Sequence, residues 1–485
     1  MMCEGKFVFP VFASFLILTA FASVSEAKTI YVPDDYEKIQ WAVDNASAGD
    51  TIIVRDGTYY ENVVVDKALT IRSENGSANC IVDGGWSGDV ITLNADGITI
   101  EGFTVLGWMS AGIKVFSNAN KIAYNSINNY YGILLWNSSN NNLTNNNASN
   151  NCYGIFLNYS SNNTLMNNNA SNNDYGILLY FSSNNTLMNN IASNNYDGIS
   201  LIHSSNNTLI NNNASNNCHG IFLNYSSNNN LMNNIANSNN YVGISLDYSS
   251  NNTLMNNNAS NNDYGIGILL WNSSNNNLTN NNASNNYDGI CLYYSSNNNL
   301  MNNIANSNNE NGIHLYFSSN NTLMNNNASN NDYGILLWNS SNSNLMNNIA
   351  SNNCYGIFLV SSSNNKIYLN NFINNTYQVS SPFSTNIWNS TEKITYTYKG
   401  NKYENYLGNY WSDYTGSDTN GDGIGDTPYS IDGDKDYYPL MERFENYFGG
   451  VENKPPIADF TYLPLLPVVD QTITFDASNS TDPDG

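Results

Sequence analysis

The sequence predicts an all-β protein built as a right-handed parallel β-helix, and three periodic markers predict it. A Gly-Ile pair recurs at Gly112, Gly132, Gly154, Gly176, Gly198, Gly220, Gly243, Gly267, Gly289, Gly312, Gly334 and Gly356, mostly at a spacing of 22, with steps of 20, 23 and 24 as exceptions. Leu143, Leu165, Leu187 and their successors to Leu345 each follow a repeat Gly by 11 residues. Ala148, Ala170 and Ala192 begin a third series, five residues further on. Three markers held in phase define internal repeats.

The unit is not helical. It is rich in Asn, Ser and Gly, which are poor helix formers, and it has no 3.6-residue apolar stripe. GIxL places Ile and Leu on one side of a short strand. SSNN reads as a turn, NxLxNN as a second short strand and NxASNN as a second bend. Three short strands and three turns fill about 22 residues. One coil cannot bury its own Ile, Leu and Ala, but stacked coils make a continuous apolar column. Asn at equivalent turn positions is expected to form ladders of side-chain amides. The Gly-to-Gly steps imply a column of roughly 50 Å at about 4.8 Å per coil.

The remaining segments follow in order. Residues 1–27 read as a secretory signal: Lys6 is the positive charge, Phe7 to Val24 is largely apolar, and Ser25-Glu26-Ala27 offers a small-residue cleavage site. No later segment is apolar enough to span a bilayer. Residues 28–111 are an N-terminal cap and first coils, with a short helix near residues 36–45 covering an open strand edge. Residues 112–380 are the Asn-rich coils, 381–447 a C-terminal cap with an acidic Asp/Gly loop, and 448–485 a linker and the start of a β-sandwich.

Charge narrows the function classes. The chain of 485 residues carries 39 acidic and 15 basic side chains, a net charge of −24, which excludes a nucleic-acid partner that needs basic surface. Cys152, Cys218 and Cys354 share one repeat position, and Cys152 and Cys218 are three coils or roughly 14 Å apart, too far for a disulfide.

Four sets of residues carry chemistry. An aromatic follows Gly by four or five residues in most coils, giving Trp136, Tyr159, Tyr180, Tyr225, Tyr248, Trp271, Tyr293, Tyr316 and Trp338. Aromatic faces pack on sugar C–H faces, and neighbouring Asn, Ser and Asp supply hydrogen bonds, so this stripe suits an extended glycan. Asp174, Asp197 and His219 precede Gly by one or two residues in consecutive coils and are the catalytic candidates for a lyase or glycosidase. Asp418, Asn420, Asp422, Ile424 and Asp426 follow the first half of an EF-hand-like loop and point to a structural Ca²⁺. Tyr429 stands where such a loop has its bidentate Glu, a place that Asp426 or the nearby Asp432, Asp434 and Asp436 are available to fill. The fourth set is sulfur: Met166, Met188, Met232, Met255, Met301, Met324 and Met346 follow the marker Leu and are expected to point outward.

The opening VPDDYEKIQWAVDNASAGDTIIVRDGTYYENV, the GIxL and NNxL repeats and the segment GNYWSDYTGSDTNGDGIGDTPYSIDGDKDYYPLM resemble the NosD-type β-helix family over about residues 29–441. That resemblance implies a pectate-lyase-like solenoid and a periplasmic copper-binding or carbohydrate-binding, sugar-hydrolase-like role, as found in many archaeal cell-surface proteins. The absence of His-x-His or Cys-x-x-Cys spacing argues against copper. The tail NKPPIADFTYLPLLPVVDQTITFDASNSTDPDG resembles the start of a polycystic-kidney-disease-type (PKD) domain, so the chain is expected to be cut short there. The expectation is a secreted or cell-surface protein that is structural, adhesive or glycan-binding without efficient catalysis, its partners surface glycans or other cell-surface proteins. A polysaccharide lyase or glycoside hydrolase is the first alternative and a copper-binding protein the second.

Overall fold

A computed structural model describes residues 26–262 and 264–448, together with the strand pair Thr461–Leu463 and Thr474–Asp476. Residues 1–25 of the expected signal segment, Asp263 and the rest of the tail expected to begin a PKD-type domain lie outside the described residues.

The chain winds into stacked coils. Parallel pairing builds one sheet of 16 strands and one of 15, from Thr29–Val32 and Val63–Val65 at one end to Lys366–Tyr368 and Tyr377–Ser380 at the other. Each repeat coil contributes a six-residue strand such as Tyr153–Asn158 to the long-strand sheet and a three-residue strand such as Thr164–Met166 to the short-strand sheet. The expected third strand is reduced in most repeat coils to a single bridging residue, as in the run Asn147, Asn169, Ile191, Asn213. A third sheet forms only in the first coils and the last.

Register follows the markers. Ile133 pairs with Ile155 and Leu143 with Leu165, so identical side chains stack, and Ile155, Leu157, Leu165 and Ala170 have no exposed surface. The repeat Gly marks a close approach of backbones: a Cβ on Gly154 would lie 2.6 Å from the Gly176 carbonyl oxygen and 2.7 Å from Asn173 Nδ2.

The Asn doublets divide two tasks. The first Asn of each pair is left-handed, as in Asn162, Asn167 and Asn172 at φ 59°, 56° and 60°. Asn tolerates that conformation better than other residues with a side chain. The second Asn is buried and forms the ladder. Asn190 donates its backbone N–H to Asn212 Oδ1 at 3.0 Å, and Asn212 donates likewise to Asn234. Asn163 and Asn173 belong to two parallel ladders, and Ser160 to a serine column.

Both ends are closed. The helix Ile39–Asn45 buries Ile39, Ala42 and Val43. Its first amides donate to the Glu61 carboxylate at 2.9 and 3.0 Å. Gln40 Oε1 accepts the Val64 amide at 2.7 Å and its Nε2 donates to the Val64 carbonyl at 3.2 Å, so one side chain occupies the outermost edge of the long-strand sheet. At the far end, Trp411 stacks on Tyr429 with ring centres 4.4 Å apart at the end of the main core, and a second buried cluster includes Leu369, Tyr398, Leu440 and Tyr447. No described helix is long and apolar enough to cross a membrane.

Candidate functional site

Alternation along the six-residue strand decides what faces outward. Ile and Leu of GIxL point in, the residues two and four after Gly point out, and the residue five after Gly forms the corner. The residue before Gly also points out, because the chain bulges at Gly: Tyr153 pairs with Tyr175 and Ile155 with Ile177 while Gly154 is skipped, and Tyr153 stacks on Phe156. The predicted aromatic stripe is therefore two columns. Trp136, Tyr180, Trp271, Tyr293, Tyr316 and Trp338 end strands, whereas Tyr159, Tyr225 and Tyr248 are left-handed corner residues.

The two columns differ in what they offer a ligand. Corner rings stack on one another: Tyr159 on Phe181 at 5.1 Å, Phe181 on His203 at 4.7 Å, His203 on Tyr225 at 5.2 Å and Tyr225 on Tyr248 at 4.9 Å, all within 16° of parallel. Their faces are turned to each other and their edges to solvent. The indoles of Trp136, Trp271 and Trp338 are 45%, 40% and 45% exposed and recur in the coils that have Asn at the corner. The corner residues Tyr159, Tyr225 and Tyr248 are no less exposed, at 53%, 51% and 49%, but through their edges, whereas the ring neighbours of Trp271 and Trp338 are edge-on or tilted.

The column immediately before Gly begins and ends in stacked tyrosines, Tyr131, Tyr153 and Tyr175 on one side and Tyr333, Tyr355 and Tyr377 on the other. Polar residues interrupt it. Asp197 Oδ1 lies 2.8 Å from His219 Nδ1, and Ser200 Oγ donates to Asp197 Oδ2 at 3.2 Å. Asp174 does not join them. It stands two residues before Gly, so its column is that of Cys152 and Tyr196, and the predicted trio is a pair. On the next strand Ser245 Oγ donates to Asp247 Oδ1 at 2.8 Å, and burial raises the Asp247 carboxyl above its ordinary range.

Sequence reasoning missed a second constellation. Cys291 and His314 are register partners on adjacent strands. The Cys291 thiol is buried beside Asp288 and Tyr293, and burial drives it well above the ordinary thiol range. Both His314 ring nitrogens are buried without a hydrogen-bond partner, and desolvation lowers its pKa to about 4. The signal was available, since Cys291 and His314 both stand two residues after Gly.

The acidic loop closes on itself. Asp418 Oδ1 accepts the Gly421 amide at 2.8 Å, Asp418 Oδ2 the Gly423 amide at 2.9 Å and Asp422 Oδ1 the Ile424 amide at 2.9 Å. Asp426 turns to Ser417 and Thr419, whose hydrogen bonds hold its carboxyl below the ordinary range. Asp432, Asp434 and Asp436 do not complete the loop. They terminate the solenoid: Asp434 accepts Asn386 N–H at 2.8 Å, Asp436 accepts Asn409 N–H at 2.8 Å, and Asp432 accepts Ser381 N–H.

Among the described residues no group of three or more His, Cys, Asp and Glu is placed to hold a metal ion. The methionine column is half-buried on the outer side of the short-strand sheet, as alternation predicts, and is interrupted by Ile210 and Thr279. The five described cysteines are all free.

The architecture is that of a parallel β-solenoid with a long polar and aromatic outer face. The chain belongs to the family described as periplasmic copper-binding protein (NosD), which matches residues 120–268 and 266–416, more than half of its length. A cell surface glycoprotein of Methanothermus fervidus is 33% identical over 126 residues; the match covers 24% of this chain and about a fifth of that relative. Among solved structures, the A-module of the Azotobacter vinelandii mannuronan C-5 epimerase AlgE4 shares 16% identity at a TM-score of 0.40, covering 69% of this chain and 98% of the other. The Dettilon tailspike protein shares 14% at 0.44, covering 76% and 72%. An alginate lyase crystallised with a trisaccharide shares 13% at 0.41, covering 78% and 91%.

Proposed function

We propose that the chain is a surface protein that binds an extended glycan along the outer side of its long-strand sheet, as a recognition or scaffold element rather than an efficient enzyme. The observation that carries this reading is the recurrence of exposed Trp136, Trp271 and Trp338 at one strand position, beside polar Asn and Ser corners. Between Ala123 and Asn365 the chain has no Lys or Arg, so recognition there rests on ring faces and hydrogen bonds rather than on cationic side chains. The Asn and Ser corners recur at each coil, about 4.8 Å apart, and the three tryptophans at intervals of six and three coils, which favours a polymer over a single small ligand.

A glycan array probed with residues 28–453 and with a Trp136→Ala/Trp271→Ala/Trp338→Ala variant tests it. Binding that disappears in the variant supports the reading. Equal binding by both, or none by the folded parent, overturns it.

The Asp197–His219 contact favours a second reading, a polysaccharide lyase or hydrolase in which the carboxylate orients the imidazole as a base. Turnover of an acidic or neutral polysaccharide that is lost in Asp197→Ala would establish it, and no turnover on a broad panel would reject it.

Two metal readings are tested separately. A structural Ca²⁺ at Asp418–Asp422 would raise Tm to saturation at one equivalent and lose that rise in Asp418→Ala; an unmoved Tm rejects it. A copper role by family analogy requires stoichiometric copper retained through dialysis against a chelator, and complete loss rejects it.

A further inference from the structure

The chain is dense in Asn-x-Ser/Thr triplets because Asn and Ser are its turn residues, and the fold sorts these triplets by accessibility. In the Asn-Ala-Ser set, the asparagines stack as the bridging residues of the third face. Their amide oxygens are taken by the serine two residues on, as in Ser171 to Asn169 and Ser284 to Asn282, both 2.7 Å. In the Asn-Tyr-Ser set, Asn158 is 7% exposed, and Ser160 and Ser226 are fully buried in the serine column.

The Asn-Ser-Ser asparagines Asn137, Asn272 and Asn339 are left-handed corner residues beside the exposed tryptophans, and only Asn137 among them is exposed. One further set combines a corner that is exposed in every copy with Thr as the last residue of the triplet. Asn162, Asn184, Asn206, Asn251 and Asn320, each followed by Asn-Thr, occupy the exposed left-handed corner ahead of the short strand. The serine column and ladder positions bring their neighbours inward and leave these amides turned out, unbonded to the protein. The threonine two residues on opens the short strand and is itself partly or fully accessible. Each of the five also follows an exposed corner ring by three residues: Tyr159, Phe181, His203, Tyr248 and Phe317. Ring edge and amide thus stand at the two ends of one four-residue corner.

We propose that these five asparagines are acceptors for N-linked glycans, arranged along one corner of the solenoid. In the transfer, Asn Nδ2 attacks the anomeric carbon of a glycan carried as a lipid-linked glycosyl phosphate. The C–N bond forms as the anomeric C–O bond breaks. The phosphate departs with the electron pair, and the amide proton passes to a base of the transferase. The accessible Thr hydroxyl is the second element of the recognised triplet. The inference rests on export of the chain and is independent of whether the long-strand face binds a glycan.

The test uses the full chain secreted from a host that modifies a control acceptor peptide, digested with a protease that cuts before Asp. Peptide 174–196 contains Asn184, and peptide 247–262 contains both Asn251 and the stacked Asn258. The expected result is a glycan mass on the first peptide and on Asn251 of the second, with Asn258 bare, and its loss in Thr186→Ala and Thr253→Ala. Both peptides unmodified in the folded, secreted chain, or a glycan on Asn258 with Asn251 bare, overturns the proposal.

Discussion

The Asp436 carboxylate accepts the backbone amide of Asn409 at 2.8 Å, standing where each earlier coil places the side-chain oxygen of the next asparagine. Asn409 does the same for Asn370, at 3.1 Å. Two residues upstream, Asp434 ends the neighbouring ladder on Asn386. A terminal coil has no successor to receive an Asn side-chain N–H. An acceptor-only carboxylate therefore ends the column without an orphan donor.

Asp436 and His314 give stability an opposed dependence on pH. Burial pushes the Asp436 carboxyl up to about 6, although Asn409, Trp411 and Tyr438 all donate to it. An acid raised above its unfolded value contributes stability that is full below about pH 4 and lost as pH rises to about 6. His314, lowered to about 4, contributes stability that is full above about pH 6.5 and lost as pH falls to about 4. Each effect is on the order of 3 kcal/mol, so they offset between pH 4 and 6. Urea titrations across that window should separate the two contributions when each variant is compared with the parent. Relative to the parent, stability should gain on acidification in His314→Leu and lose in Asp436→Asn. A parallel response of both variants contradicts this account.

The two kinds of asparagine should respond differently to truncation. Asn212 accepts two hydrogen bonds from Asn190 and donates to Asn234 and to the Leu187 carbonyl. Asn212→Leu leaves several buried groups unpaired and should cost roughly 3–5 kcal/mol, at about 1–3 kcal/mol for each stranded group after partial relaxation. Asn206→Gly at the exposed left-handed corner should be near neutral, and Asn206→Ala should cost about 1 kcal/mol. Denaturant midpoints of the three variants provide the measurement.

Gly154→Ala should destabilise by about 1–3 kcal/mol or more, because the new methyl meets backbone that cannot withdraw without separating two coils. The loss should appear as a lower Tm in calorimetry. An unchanged Tm would show that the bulge at Gly relaxes freely.

Gln40→Ala removes the side-chain amide that covers Val64 and exposes the first strand edge of the long-strand sheet. The variant should keep its β-sheet circular dichroism but self-associate with increasing concentration in light scattering. A variant as monodisperse as the parent would show that the rest of the helix protects the edge alone.

Much of this fold was legible because identical residues stack. A 22-residue period, Ile and Leu two apart and a following Ala suffice to predict coils, inward columns and Asn ladders. Periodicity alone did not separate the doublets. Asn162 and Asn163 are chemically identical, and only backbone conformation makes one a corner and the other a ladder rung. The site was less legible. Asp174 and Asp197 differ by one place relative to Gly, and at a bulge one place decides which column a side chain joins. Asp434 and Asp436 resembled part of an ion-binding loop because ladder termination depends on residues distant in sequence. Cys291 and His314 share the position two after Gly, but that position holds Leu, Phe or Ser in most coils, so the pairing of a thiol with an imidazole across one step does not stand out in the sequence.

The ladder design also makes copy number adjustable. A unit such as residues 176–197 presents to its successor the same rungs that it receives from its predecessor. Tandem duplication or excision of one unit through recombination would rejoin every column in register and leave Gln40 and Asp436 at their posts. The length of the column could then evolve in steps of one coil, while the chemistry of the caps stayed constant.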